Sequence, residues 1–66
     1  MSFKQYQLIE LTADINPVIK KGLKGVILEV WADDVFEVEF VKEDATNYEF
    51  KGQFTFTVSA ASIKLA

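Results

Sequence analysis

The stretch that decides the fold runs from Lys20 to Phe40 and reads KKGLKGVILEVWADDVFEVEF. Within it, two apolar runs with alternating side chains flank the short acidic connection Ala32 to Asp34, and a loop rich in lysine and glycine precedes them. Alternation of this kind over about four to eight residues is typical of half-buried β-strands. The stretch therefore predicts a β-hairpin, which we expect to form the centre of a very small barrel.

The pairing within this hairpin can be predicted from the length of its loop. If the loop is the three residues Ala32 to Asp34, three apolar pairs face each other: Val30 with Phe36, Leu28 with Val38 and Val26 with Phe40. The positions between them face outward, and these are Ile27, Glu29, Trp31, Glu37, Glu39 and Val41. A slip of one residue would turn the apolar set away from the core, so we expect this register.

The rest of the chain predicts three further short strands. Tyr6 to Leu11 is apolar with imperfect alternation, which favours a first strand, with a helix as the alternative. Between Tyr48 and Val58 the aromatic residues, Phe54 among them, share the parity of core positions, Thr55 and Thr57 have the opposite parity, and Gly52 marks a bend or bulge. Ile63 to Leu65 closes the chain. Five short strands without a convincing helix predict an all-β fold, a small five-stranded barrel.

Length and composition limit the size of the core. The chain has 66 residues, of which 50% are hydrophobic and 14% aromatic. A chain of this size forms one domain, residues 1–66, and buries only about 60% of the surface that its unfolded form exposes. It contains no cysteine and no histidine, so neither disulfides nor a zinc site supplement the core. We therefore expect self-association or another interface to bury additional surface.

Charge and the N-terminal sequence bear on compartment and partners. Seven basic residues against ten acidic ones give a net charge of -3, which opposes binding to nucleic acid and to anionic membranes. The stretch up to Pro17 has no apolar run of signal-peptide or membrane-spanning length, because Glu10 and Asp14 interrupt it. We expect a cytoplasmic protein that does not engage a membrane.

The residue types that are missing argue against catalysis. Without His, Cys or Arg the chain lacks the usual general base near neutral pH, the best nucleophile and the bidentate anion clamp. Ser59 and Ser62 have no partner evident in the sequence that would activate a hydroxyl. The interior of so small a barrel is filled by side chains, which leaves no room for a small-molecule substrate. We expect a non-enzymatic protein without catalytic residues, metal or cofactor.

The outward face of the hairpin is the main candidate binding surface. Its members are three apolar residues and three acids: Ile27, Trp31, Val41, Glu29, Glu37 and Glu39. Two other interpretations are that the N-terminal segment around Phe3 and Tyr6 covers the apolar residues, or that barrel curvature buries them. The carboxylates favour a solvated face over a Ca²⁺ site, because flat sheets make poor cages. An apolar patch ringed by carboxylates predicts contact with a protein partner, and the first use that we expect for it is self-association into a homo-oligomer.

The order of the motifs resembles a known family. GLKGVILEV, a short acidic turn, FEVEFV and the closing VSAASIKL are together similar to a family of short bacterial proteins, roughly sixty residues long and of unassigned function, that have an SH3-like barrel fold. The resemblance covers nearly the whole chain, although Phe36 replaces a common tyrosine and Ala60 and Ala61 replace a polar or charged pair. It implies an SH3-like barrel, no established activity and no catalytic residues.

A second resemblance implies a different function. The glycine-valine element at Gly25 and Val26 is similar to the KOW motif of ribosomal and transcription-associated SH3-like domains. It implies a nucleic-acid-binding module in which Lys20, Lys21 and Lys24 contact the phosphates. A purely structural role for Gly25 is the interpretation that we favour, because any small barrel needs a glycine where the second strand begins. Three lysines on a net-acidic domain predict weak, salt-sensitive binding, so a protein partner is the preferred expectation.

Overall fold

The computed structural model describes residues 3–66, which form five β-strands. They are β1 (Leu8–Leu11), β2 (Lys24–Ala32), β3 (Val35–Phe40), β4 (Thr55–Ser59) and β5 (Ile63–Leu65), with a 3₁₀ turn at Ala60–Ser62 between the last two. The strands pair antiparallel in one sheet of order β4-β3-β2-β1-β5. The all-β prediction is confirmed, and the topology is consistent with a small five-stranded SH3-like barrel. The sheet is not closed, because β4 and β5 each have one neighbour.

The side chains on one face of the sheet form the hydrophobic core. All five strands contribute to it, together with one residue of the loop between β1 and β2. The members are Ile9, Leu11, Ile19, Ile27, Phe36, Val38, Phe40, Phe56, Val58 and Ile63. Burying one such side chain is worth about 1.5–3 kcal/mol, which makes this cluster the main source of stability.

A β-bulge changes the register that the hairpin pattern predicted. Val30 faces Phe36 as predicted, but the partner of Val38 is Ile27, and Leu28 is not paired with it. Leu28 is the extra residue of the bulge, where two residues of β2 oppose one of β3. On the N-terminal side of Leu28 the alternation of β2 is therefore the reverse of the predicted one. Ile27 points into the core, and the prediction of an outward Ile27 is wrong.

The same shift places Gly25, instead of Val26, opposite Phe40. A Cβ atom on Gly25 would lie 2.6 Å from the carbonyl oxygen of Glu39 and 2.8 Å from the Phe40 ring. Glycine is needed here because the backbones approach closely, and not because of an unusual backbone angle. Gly22 is the opposite case, with a φ of 95° and open space around it.

The connection between β2 and β3 is shorter than the predicted three-residue loop. A second register shift leaves Trp31 as an extra residue in β2. Ala32 then pairs with Val35, and the turn consists of Asp33 and Asp34 alone. Each bulge adds to the local twist of the hairpin and re-aims the side chain at the bulge.

A tight turn before β4 interrupts the aromatic alternation. Phe50 and Gln53 exchange two backbone hydrogen bonds of 3.0 Å, and the residues between them, Lys51 and Gly52, have φ values of 52° and 82°. Two successive positive φ angles are the signature of a type I′ turn. The prediction that Phe54 shares the core parity is wrong, because the turn leaves this side chain 56% exposed.

The N-terminal segment packs against the core. The rings of Phe3 and Phe36 meet edge to face with centroids 5.6 Å apart. Tyr6, with a φ of 69°, remains 72% exposed. Phe3 therefore extends the core and leaves the hairpin's outward Trp31 uncovered. Within residues 3–66, no helix has the length and apolar character needed to cross a bilayer.

Candidate protein-binding face

The side of the sheet that faces away from the core carries an exposed indole ring and three carboxylates. We define the acidic face by five residues: Trp31 and Glu29 of β2, Glu37 and Glu39 of β3, and Val41 just beyond β3. These are five of the six residues predicted for a binding surface. The sixth, Ile27, is fully buried and does not belong to the face, because the bulge at Leu28 turns it inward.

Trp31 is the large apolar residue of this face. Its side chain is 61% exposed, and the bulge leaves it outside the regular pairing of β2 with β3. The indole Nε1–H donates a hydrogen bond of 3.2 Å to Oε1 of Glu37 on the neighbouring strand. The ring is thus oriented by a polar contact instead of by packing in the core. Exposed tryptophans of this kind are enriched at the energetic centres of protein interfaces.

Glu37 is the centre of a hydrogen-bond network on the acidic face. Thr55 Oγ1 donates to its Oε2 at 2.6 Å and Thr57 Oγ1 donates to its Oε1 at 2.9 Å, in addition to the bond from Trp31. Partial burial acts to raise the pKa of Glu37, but the three hydrogen bonds outweigh it and hold the pKa below its ordinary value. At neutral pH the site is therefore a fixed negative charge.

The other two carboxylates lie close to Glu37. Glu29 is directly opposite it in the β2–β3 pairing, and Glu39 follows it at the next outward position of β3. Like charges opposite each other on a sheet cost up to about 1 kcal/mol. Within the described residues no lysine forms an ion pair with any of the three, and the ion pair that is present joins Lys64 to Glu10 at 3.8 Å. The acidic face therefore keeps its negative potential.

The three carboxylates do not form a cage for a metal ion. Across residues 3–66, no group of three or more Asp or Glu side chains is placed to hold one. Hard cations such as Ca²⁺ need six or more oxygen ligands around one point, whereas these carboxylates are spread along two strands. The arrangement can attract basic groups by charge and offer them an aromatic surface.

A groove of about 270 Å³ runs beside β4 and continues the acidic face at its edge. It is lined by Glu37, Thr55, Phe56 and Thr57 on the side of the sheet, and by Ile15, Asn16, Phe50 and Gln53 on the side of the loops. The volume falls below the roughly 300–1,000 Å³ of typical small-molecule pockets. The sequence predicts the parity of Thr55 and Thr57 but not their contact with Glu37, because that contact depends on the pairing of β4 with β3.

The lysines of the alternative nucleic-acid site lie elsewhere on the surface. Lys20, Lys21 and Lys24 are all exposed, in the loop before β2 and at its first residue. The backbone N–H of Lys21 donates to Oδ1 of Asp14 at 2.8 Å, and Lys24 is opposite Glu10 in the β1–β2 pairing. Acidic residues therefore accompany two of the three lysines and weaken the positive potential there.

Comparison with protein-family models, with curated proteins and with solved structures finds no match to this chain. The resemblance to a bacterial family with an SH3-like barrel and the resemblance to the KOW motif therefore stay predictions from the sequence. The acidic face and the groove beside β4 are the features that bear on function.

Proposed function

We propose that this chain is a non-enzymatic, cytoplasmic binding module that acts through protein–protein contact on its acidic face. The observation that carries the proposal is the exposed Trp31 ring held by a hydrogen bond to an ionised Glu37. Stability of the fold does not account for this arrangement, because an apolar side chain left in water contributes little hydrophobic free energy. An aromatic anchor next to a fixed charge is suited to a partner that buries both.

The charge of the face favours a partner that presents lysine or arginine. Glu29, Glu37 and Glu39 have no ion-pair partner within the described residues, and the whole chain carries a net charge of -3. Complementary potentials speed encounter and reject wrong partners. A second copy of the chain is the alternative partner, but pairing two acidic faces would bring like charges together. An accessory or neutralising role toward a basic protein therefore suits the face better than a homo-oligomer does.

Charge reversal tests this proposal against the nucleic-acid alternative. We expect substitution of Glu29, Glu37 and Glu39 by lysine to abolish the binding of labelled lysine-rich peptides, measured in a fluorescence anisotropy titration. Glutamate at Lys20, Lys21 and Lys24 should leave that binding unchanged. If the chain is instead a nucleic-acid module, a labelled single-stranded oligonucleotide binds the wild type. Only the variant with glutamate in place of the three lysines then loses this binding. Thermal unfolding of each variant controls for loss of the fold.

A further inference from the structure

We propose that the partner binds as an extended segment along the free edge of β4, with lysine or arginine alternating with apolar residues. The inference rests on the proposed function and specifies the partner's chemistry and its mode of binding. It would make the acidic face and the groove beside β4 one continuous site. Its basis is the hydrogen-bonding pattern of β4, the lining of the groove and the charge of Glu37.

β4 is an edge strand whose free hydrogen-bonding groups can be assigned. The backbone N–H of Ala60 donates to the carbonyl oxygen of Asp34 at 2.9 Å, which makes these two residues a hydrogen-bonded pair at the end of the β3–β4 ladder. Antiparallel partners alternate between hydrogen-bonded and non-hydrogen-bonded pairs. The two kinds of pair alternate along the β3–β4 register from Ala60 and Asp34, so Thr57 and Thr55 belong to non-hydrogen-bonded pairs. Their backbone groups therefore point away from β3.

The same alternation applies to Ser59, so three residues of β4 turn both N–H and C=O toward the free edge. Within residues 3–66, no other backbone group bonds to the N–H or C=O of Thr55, Thr57 or Ser59. A row of unpaired groups on an open edge is a template for an added strand. Recognition by strand addition uses such a row for affinity and side-chain pockets for specificity.

The groove beside β4 gives an added strand side-chain sites on both of its faces. An extended segment points successive side chains to opposite sides. On the core side its side chains would meet Ile15, Phe50 and Phe56, which are apolar and pack on or within the core. On the other side they would meet Thr57 and, beyond it, Glu37. The groove therefore selects alternation of apolar and basic residues.

Glu37 supplies the preference for a basic side chain. A peptide residue beside Thr57 lies two strand spacings from Glu37, about 10 Å measured across the sheet. The combined lengths of a lysine and a glutamate side chain span that distance. The Glu37 carboxylate is bonded to Thr55 and Thr57, which hold it toward β4. A cation arriving at the edge therefore meets a charge that is already oriented.

A second copy of the chain fits this edge less well than a peptide does. In a two-fold pairing of β4 with β4, both copies would bring their acidic Glu37 to the same surface. Each copy would also bring its own loop wall, including Ile15 and Gln53, so two walls instead of one would flank the paired strands. A free extended segment brings no such wall. We therefore assign the edge to another protein's segment.

The test titrates a short blocked peptide of alternating lysine and valine into the ¹⁵N-labelled full chain. We expect the backbone amides of Thr55, Thr57 and Ser59 to shift and to gain about tenfold or more protection from hydrogen exchange. Two matched peptides carry N-methyl groups on all lysines or on all valines. N-methylation of the residues whose N–H groups face β4 should weaken binding at least about tenfold, because those hydrogen bonds are lost. N-methylation of the other residues should weaken it less than about twofold. Loss with the lysine set indicates an antiparallel segment, and loss with the valine set a parallel one.

Two variants of the protein test whether the backbone N–H of Thr57 bonds to the added segment. Thr57→Pro removes an edge-facing N–H and leaves the β3 ladder intact, as proline does on edge strands. Thr57→Val removes the hydroxyl alone. We expect the proline variant to bind the alternating peptide at least about tenfold more weakly than the valine variant. Equal binding by two folded variants would overturn strand addition.

Other outcomes separate this inference from the proposed function. If both N-methyl sets bind like the parent peptide and shifts occur only on the acidic face, strand addition is wrong but a basic partner on that face stands. If no lysine-bearing peptide binds, both the inference and its choice of partner are wrong. A doubling of the solution mass through Thr57-dependent pairing of two chains would also overturn the inference.

Discussion

Trp31 and Glu37 are joined across the β2–β3 hairpin by a hydrogen bond of 3.2 Å from the indole Nε1 to Oε1. The bulge at Trp31 lets a residue of β2 reach over to β3, and Thr55 and Thr57 hold the same carboxylate from β4. The pair therefore ties three strands together on the side away from the core. Because the indole ring itself stays exposed, the network presents an aromatic surface and a charge side by side.

We expect Trp31→Ala to change the free energy of unfolding by less than about 1 kcal/mol, because an exposed side chain contributes little to stability. Binding of a basic partner should weaken at least about tenfold, since a contact aromatic residue is lost. Urea unfolding and an anisotropy titration measure the two effects. Trp31→Phe keeps a ring without the N–H and serves as the control. A stability loss above about 2 kcal/mol would identify Trp31 as a packing residue.

The low pKa of Glu37 predicts a pH dependence of stability. Its pKa in the folded chain is below the ordinary value of 4.5, so the unfolded state binds the proton more tightly. The carboxylate therefore contributes its full stabilisation above about pH 4.5, and the contribution is lost as the pH falls through the folded pKa. Glu37→Gln should flatten this part of the profile, measured by urea unfolding at several pH values. Parallel profiles for the wild type and the variant would contradict the account.

Gly25→Ala should destabilise the fold by about 1–3 kcal/mol or more, the usual cost of overpacking. The new methyl group would lie 2.6 Å from the backbone oxygen of Glu39, and backbone moves less readily than a side-chain end. Gly22→Ala is the matched control, because it meets open space and suffers only the strain of its positive φ, about 1 kcal/mol. Urea unfolding of both variants checks the order, and a Gly25 variant as stable as the wild type would contradict the close approach.

The turn after β3 holds an alanine in the left-handed region. Ala45 has a φ of 71° and donates its N–H to the carbonyl oxygen of Lys42 at 3.0 Å. Ala45→Gly should therefore stabilise the chain by about 0.5–1 kcal/mol, because it removes the strain of the side chain. Ala13→Gly, in a loop without a positive φ, is expected to be neutral or destabilising. Equal effects of the two substitutions on the thermal midpoint would contradict the assignment of strain at Ala45.

The alternation of β3 was sufficient to predict its two faces. Phe36 and Val38 lie in the core and Glu37 lies outside, as the period of two requires. The same reasoning failed in β2, where Val26, Ile27 and Leu28 are all apolar. No hydrophobic contrast there indicates which residue is the extra one of a bulge, so the inward position of Ile27 could not be read from the pattern.

The groove beside β4 could not be predicted from the sequence for a related reason. Its far wall comes from Ile15 in the loop after β1 and from Phe50 next to the type I′ turn. Both residues reach β4 only through long-range packing on the core. The outward parity of Thr55 and Thr57 was visible in the sequence, but their contact with Glu37 depends on the β3–β4 register.

The most direct test of a protein-binding acidic face follows one NMR signal. Trp31 is the only tryptophan, so its indole N–H gives a single resonance. The ¹⁵N-labelled chain is titrated with a lysine-rich peptide and, separately, with a single-stranded oligonucleotide. We predict that the peptide shifts the Trp31 indole signal together with the backbone amides of Glu37 and Glu39, while the oligonucleotide leaves them in place. Shifts confined to Lys20–Lys24 with the oligonucleotide, and none with the peptide, would contradict the account.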